Sequence, residues 1–400
     1  MKTVKTVNNE KTANTEERPV RNEKKQNFGL FEFISAMTVT LLLFLVSLFT
    51  VLGKDREYSE NENRNLSQKP IFSLSAILDG KFMEDTDSYL SDQFVIRDAL
   101  VRIRTNIDVF EGKREINGVY IGKKHYLFEK PSAYDETRVG RTIATMNSIS
   151  AKYPDVRNYV AIAPNASEII KDYMPSNAPS QNQLEQTGKV YSDLSGFTCI
   201  DLFTPLKNAE DPAALYYKTD HHWTSEAVDI AYRKIAADMG LDAASYSYQN
   251  LAVTNSFQGT LASSSGIFSA KDTISVPTCP SDIMYQVTYV EEGKTCTTVF
   301  DQSKLQEKSK YDVFFGGNFS QIVIETNSSS DRVLMVIKDS YANSLIPLLI
   351  PHFKTIIVVD PRYYNDNIQE IIEREEVTDM LWLYNVNTFL TDTSIYGKFN

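Results

Sequence analysis

"RVLMVIKDSYANSLIPLLIPHFKTIIVVD", Arg332–Asp360, decides the fold. Its two ends, "RVLMVIK" and "KTIIVVD", are short runs of β-branched and aliphatic residues, the pattern of strands buried on both faces. The segment between them, "SYANSLIPLLIPHF", has helical apolar spacing, so strand, helix and strand predict a parallel pair. The rhythm continues toward the C-terminus with "NIQEIIEREE" as helix and "DMLWLYNV" as strand. Upstream it includes "TRVGRTIATMNSISAKY" as helix, "NYVAIAP" as strand, "NQLEQTGKVYSDLS" as helix and "FTCIDL" as strand. A further helix, "TSEAVDIAYRKIAADMG", stops at Gly240. The expectation is an α/β fold with a mostly parallel sheet between helices. Residues 246–330 are richer in Ser, Thr and Gly and read as a β-rich insertion.

Ahead of this body the chain changes character. Residues 1–29 are polar and charged and predict a disordered tail. "ISAMTVTLLLFLVSLFTVL", Ile34–Leu52, is nineteen residues without a charge. At about 1.5 Å per residue it nearly matches a hydrocarbon core of roughly 30 Å. The run exceeds the apolar region of a signal peptide and leaves through "VLGKDREYS", which offers no small-x-small exit, so an uncleaved transmembrane anchor is expected over 30–52. Lys and Arg tie at its two ends, with Arg18, Arg21, Lys24 and Lys25 before it and Lys54, Arg56, Arg64 and Lys69 after it. Charge therefore does not orient the anchor. The commoner arrangement keeps a short polar tail in the cytoplasm, which makes this a single-pass cell-membrane protein with an extracellular C-terminal domain. Residues 53–110 read as a polar stalk and a helical segment. The main domain is expected over 111–400, opening with a hairpin in "INGVYIGKKHYLFE".

The 400 residues carry a formal charge of −11, which argues against a nucleic-acid partner. Three cysteines, Cys199, Cys279 and Cys296, have no metal-binding spacing. Cys279 and Cys296 are either a disulfide, if the domain is extracellular, or two free thiols.

The chemistry concentrates in "YYKTDHHWTSEA", Tyr216–Ala227, which holds two of the four histidines beside an aspartate. A metal site needs three or four converging ligands. Adjacent Asp220, His221 and His222 are not expected to aim at one ion without strain, and no HExxH is present, so neither metal nor cofactor is expected. Asp220 and His222, two apart, can share one face of a turn, the carboxylate fixing the imidazole tautomer while its other nitrogen acts as general base. Such a pair needs a nucleophile at the carboxyl end of a parallel strand. Ser340 follows "RVLMVIK" and opens the expected helix, whose N-terminus would stabilise an oxyanion. A plain helix cap is the alternative for Ser340 taken alone.

"TDHHWT" and "KDSYANSLIPLL" together resemble the bacterial DHHW protein family, which is similar to the SGNH-type proteins of exopolysaccharide O-acetylation, including those acting on alginate. The likeness runs from "ENENRNLS" through "YNVNTF". It implies an SGNH-hydrolase-like (flavodoxin-like) fold, circularly permuted because the Asp-x-His-Trp segment precedes the serine. It also implies Ser340 as nucleophile, His222 as base and Asp220 as orienting acid. From the strand ends "VVDPRYYN" and "WLYNVN" it offers Asn385 as side-chain oxyanion donor and Arg362 as a second polar group; Asn318 in "FFGGNFS" is a third candidate. The chain departs from the pattern at Lys338, which replaces the glycine before Asp339–Ser340, and separately no glycine stands in "VVDPRYY", where the resemblance places a second oxyanion donor. Trp223 and Tyr217, with Tyr216, Tyr363 and Tyr364, would flank the crevice, either stacking on sugars or packing in the core.

Two functions compete. One is a membrane-anchored acyl-ester enzyme, an O-acetyltransferase or acetylesterase, acting on a cell-surface polysaccharide through an acyl-serine. If it is a transferase, family analogy adds a membrane-bound O-acyltransferase as partner. The other is a non-catalytic polysaccharide-binding or assembly protein on the same fold.

Overall fold

The computed structural model describes residues 29–399 apart from 60, 63, 279 and 281. The tail expected before residue 29 and Cys279 of the cysteine pair lie outside the described residues. The chain divides into two compact units, Met1–Lys54 and Asp55–Asn400. In the first, α1 (Leu30–Leu52) is long and apolar enough to cross a membrane. Its Ser35, Thr38 and Thr50 hydroxyls donate to carbonyls four residues back, which satisfies them without water.

The second unit opens with a short ladder, Tyr58–Ser59 against Arg64–Asn65, and a helical turn, Leu74–Leu78; α2 (Lys81–Asp92) and α3 (Arg97–Phe110) come next, followed by a small antiparallel sheet of Glu115–Ile116, Val119–Ile121 and Leu127–Glu129. The remainder is built on an eight-stranded sheet with α4 (Glu136–Lys152), α5 (Gln183–Asp193) and α6 (Ser225–Asp238). In chain order the strands are β1 (Arg157–Ala163), β2 (Phe197–Ile200), β3 (Tyr285–Tyr289), β4 (Lys294–Cys296), β5 (Gln321–Thr326), β6 (Val333–Lys338), β7 (Thr355–Val359) and β8 (Asp379–Asn385). Across the sheet they run β4-β3-β5-β7-β6-β8-β1-β2. The five from β7 to β2 are parallel, and β4, β3 and β5 join antiparallel.

Counting from β6 through the C-terminus and back to β1, the parallel strands take the order 2-1-3-4-5 of a flavodoxin-like sheet. The fold is SGNH-like with its chain start moved. Strand β6 is first in that order and β8 third, so the switch point lies between them, where a crevice opens at the carboxyl ends.

Alternation explains why β6 lies in the middle. Leu334 and Val336 pack on one face with Trp223 and with Ala227, Ala231 and Ile235 of α6. Met335 and Ile337 pack on the other with Val139, Ile143 and Met146 of α4. Successive side chains enter opposite layers, so a strand apolar at every position needs cover on both faces.

Residues 246–330 are β-rich, as expected, and they are built into the sheet, supplying its three antiparallel strands. The same stretch adds a hairpin, Asn250–Phe257 with Asp272–Pro277, and a short helix, Thr260–Ser265. One expectation is corrected: the helix expected after β6 is broken into a 3-10 turn Ser340–Ser344, one α-turn Ile346–Leu349 and a second 3-10 turn Ile350–His352. Pro347 and Pro351 bring no N–H to a helical ladder, which limits how far it can run. No long helix dipole therefore points at Ser340.

Ile337→Ala should lower stability by about 2–5 kcal/mol, since a fully buried aliphatic chain is lost between two packed layers. Urea denaturation followed by near-ultraviolet circular dichroism measures it, and an unchanged midpoint contradicts the two-sided core.

Candidate active site

The segment Tyr216–Thr224 is a tight loop closed by an antiparallel bridge between Tyr216 and Trp223. Tyr217 N–H donates to the His222 carbonyl at 3.3 Å and Thr224 N–H to that of Leu215 at 2.9 Å. Asp272 anchors the loop from the hairpin, accepting from the Lys218 N–H (2.9 Å), the Thr219 N–H (2.8 Å) and the Thr219 hydroxyl (2.5 Å).

Within that loop Asp220 is buried and its carboxylate is saturated. Oδ1 accepts from the His222 N–H at 3.0 Å and from His222 Nδ1 at 2.6 Å. Oδ2 accepts from the Thr260 N–H at 2.8 Å and the Thr260 hydroxyl at 3.1 Å. Because Nδ1 faces a carboxylate it carries the proton, leaving Nε2 as acceptor for the Ser340 hydroxyl at 2.8 Å. Ser340 stands just past the carboxyl end of β6. The structure thus brings the residues at 220, 222 and 340 into one hydrogen-bonded line.

Electrostatics keep the line poised. Burial opposes ionisation of Asp220, yet both histidines and the hydrogen bonds from His222 and Thr260 hold it well below the usual carboxylate range. Burial pulls the His222 imidazole down to about 4, His221 adding to the effect and Asp220 opposing it. His222 stacks on Tyr311, ring centroids 3.8 Å apart and planes 13° apart. Tyr311 is held in turn by a 3.1 Å hydrogen bond to Ser344 Oγ.

The expectation that adjacent Asp220, His221 and His222 do not aim at one point is corrected. Asp220, His221 and His222 do converge, their ligand atoms lying within 4.8 Å of one another. What speaks against an ion is the donor set: Asp220 already accepts four hydrogen bonds, and His222 Nδ1 is turned to its carboxylate. His221 turns instead to the turn at Gly259–Thr260, its Nδ1 2.7 Å from Thr260 Oγ1.

The other expected site residues separate. Asn318 lines a cavity of about 320 Å³ shared with Ser340, His222, Asn343 and Asp312. Burial pushes the Asp312 carboxyl up to about 6. Asn385, however, is buried and spent: its amide donates to Asp339 Oδ2 at 2.6 Å and to Thr388 Oγ1 at 2.7 Å, so it has no N–H for an oxyanion. Arg362 pairs bidentately with Asp360, at 2.8 and 2.6 Å, and does not line the cavity. Trp223 is wholly buried, its indole N–H donating to the Tyr341 carbonyl (3.1 Å) and Ser344 Oγ (3.0 Å). Tyr217 is also core, packed edge-on against Phe257 and Tyr311. Neither is available for sugar stacking.

Three residues near the site escaped the sequence reading. Tyr311 left no local signal, being one of 22 tyrosines. Thr260 and Gly259 lie in "QGT" of the supposed insertion, where the glycine was the available clue. A Cβ on Gly259 would stand 2.1 Å from Asp220 Oδ2, so only glycine lets the backbone reach the carboxylate.

The permuted sheet, with a hydroxyl, an imidazole and a carboxylate joined at its carboxyl edge, defines an SGNH-like α/β protein. The chain belongs to the DHHW protein family, which matches residues 126–359. It is similar to the "Probable alginate O-acetylase AlgJ" of Pseudomonas syringae pv. tomato, 22% identical over 181 residues. That match covers 42% of this chain and 45% of the relative, less than half the length of either. In fold it resembles the crystal structure of a DHHW family protein from Eubacterium siraeum, with TM-score 0.61, 19% identity, and 71% of this chain and 97% of that one covered. It also resembles Bacillus cereus PatB1 with a sulfonyl adduct, with TM-score 0.60, 19% identity, and 70% and 98% covered.

Gly259→Ala should displace Asp220 and lower stability by about 1–3 kcal/mol through overpacking. Thermal unfolding reads the loss, and an unchanged transition would mean the carboxylate does not sit against this backbone.

Proposed function

We propose that this protein is a membrane-anchored, extracellular serine acyl-ester enzyme that moves or removes acetyl groups on a cell-surface polysaccharide. The observation that carries the reading is the hydrogen-bonded line from Asp220 through His222 to Ser340 beside an open cavity. In the first half-reaction His222 Nε2 takes the Ser340 proton as Oγ attacks the acyl carbonyl, giving a tetrahedral oxyanion. Collapse expels the alkoxide, which takes the proton back from the imidazolium and leaves an acyl-serine. In the second, a sugar hydroxyl or water gives its proton to Nε2, attacks the acyl-serine and restores Ser340. Asp220 stays ionised throughout and balances the imidazolium.

The surroundings suit a polyol. Gln258, Lys308, Asp312 and Asn318 line the cavity with groups that can hydrogen-bond sugar hydroxyls. The apolar α1 supports the anchor, and residue 53 onward then forms the extracellular part. Similarity to a probable alginate O-acetylase supports acetyl as the group and polysaccharide as the acceptor. If the second half-reaction delivers to sugar, an acyl donor must reach this side of the bilayer, which a membrane-bound O-acyltransferase would supply.

In the full-length chain, Ser340→Ala should lose acetyl-ester turnover by about 10⁴-fold or more, with Asp220→Asn losing about 10⁴-fold. A sulfonyl fluoride probe should label wild type at Ser340 and not the alanine variant. A wild type that neither turns over acetyl esters nor takes the probe leaves the binding-protein alternative. The pH profile has a definite sign. Neutral His222 is the working form, and its proton is lost above about 4, so kcat/KM should hold through pH 6.5 and fall only toward pH 4. An acid limb at the ordinary imidazole value near about 6.5 would contradict the buried environment.

A further inference from the structure

With Asn385 and Arg362 engaged elsewhere, the oxyanion formed at Ser340 needs other donors. Lys338, the last residue of β6, is 2% exposed, and its Nζ has three partners. They are Asn343 Oδ1 at 2.8 Å, Asn318 Oδ1 at 3.1 Å and Asp360 Oδ2 at 3.3 Å. An ammonium has three donors and no acceptor. Both amide oxygens must therefore face the lysine, and both NH₂ groups must face away from it. One N–H of Asn343 goes to Asn318 Oδ1 at 3.1 Å. Its other N–H, and both of Asn318, make no hydrogen bond among the described residues. Asn318 and Asn343 line the same cavity as Ser340 and His222. The approach of Asn318 relies on Gly316 and Gly317, whose φ values of 82° and 128° other residues rarely adopt.

We propose that Asn318 and Asn343 form the oxyanion hole of Ser340, and that the buried Lys338–Asp360 pair is the positioning unit that turns their N–H groups toward it. This rests on the acyl-serine reading above. The two carboxamides donate to the tetrahedral oxygen, and the lysine charge behind them strengthens both donors. The Ser340 N–H, first in its 3-10 turn and without a partner inside that turn, is positioned as a third donor.

Full-length Asn318→Asp and Asn343→Asp test this, because each keeps an oxygen for Lys338 while removing N–H donors. Each should lower kcat for acetyl-ester hydrolysis by about 10²–10³-fold and leave KM within about threefold. Lys338→Met should lower kcat similarly, and its effect should not add to that of Asn318→Asp, since both disable one unit. Should Lys338→Met fail to fold, the exposed Asn318 still allows the test. An active wild type with kcat unchanged in both aspartate variants overturns this inference alone. A wild type without turnover or Ser340 labelling overturns the acyl-serine reading and the oxyanion hole together.

Discussion

A buried carboxylate must find its solvation inside the protein, and Asp220 finds it from four donors on two pieces of chain. Two belong to His222 and two to Thr260, so one charge ties the DHHW loop to the turn at Gly259–Thr260. Removing a donor would leave an ion in low dielectric, a cost of several kcal/mol, so the loop conformation and the imidazole tautomer are fixed together. The orientation of His222, and with it the approach to Ser340, follows from satisfying that charge.

A second polar layer lies across the carboxyl ends of the central strands. Asp339 is buried; burial raises its pKa, while hydrogen bonds from the Asn385 and Tyr341 N–H groups favour the ionised form. Asp360 is shared between Lys338 and Arg362. Buried ions this close to a switch point are costly unless paired or hydrogen-bonded; Lys338 and Arg362 pair with Asp360, and Asp339 is held by hydrogen bonds. The layer explains why several residues marked by resemblance are structural. Asn385 and Arg362 sit at the expected strand ends, but each has been taken up in neutralising or fixing a neighbouring carboxylate.

Circular permutation accounts for the chain order. In the 2-1-3-4-5 sheet the first strand carries the serine whichever way the ends are cut. Here the cut places the acid and base ahead of that strand, in the loop before α6. The stretch between α6 and β6 then has to cross the sheet and extends it antiparallel, and in passing it delivers Thr260, Tyr311 and Asn318 to the site. What looked like an insertion in composition is one wall of the cavity.

Much of the fold was legible because it rests on local periodicity. Runs such as "VLMVIK" and "TIIVV" bury both faces wherever they sit, and Asp220, His222 and Ser340 could be singled out because residue spacing and strand-end position limit what they can reach. The antiparallel edge strands, the broken helix after Ser340 and the partners of Asn385, Arg362, Trp223 and Tyr217 were not legible. Each depends on which distant chain arrives beside it. Sequence alone determined the apolar strands, the anchor-length helix and the residue types available for acyl chemistry. Tertiary structure decided which of those polar groups were left free to act, because a buried donor or acceptor binds whatever partner packing brings within about 3 Å, and that partner is set by contacts far apart in the chain.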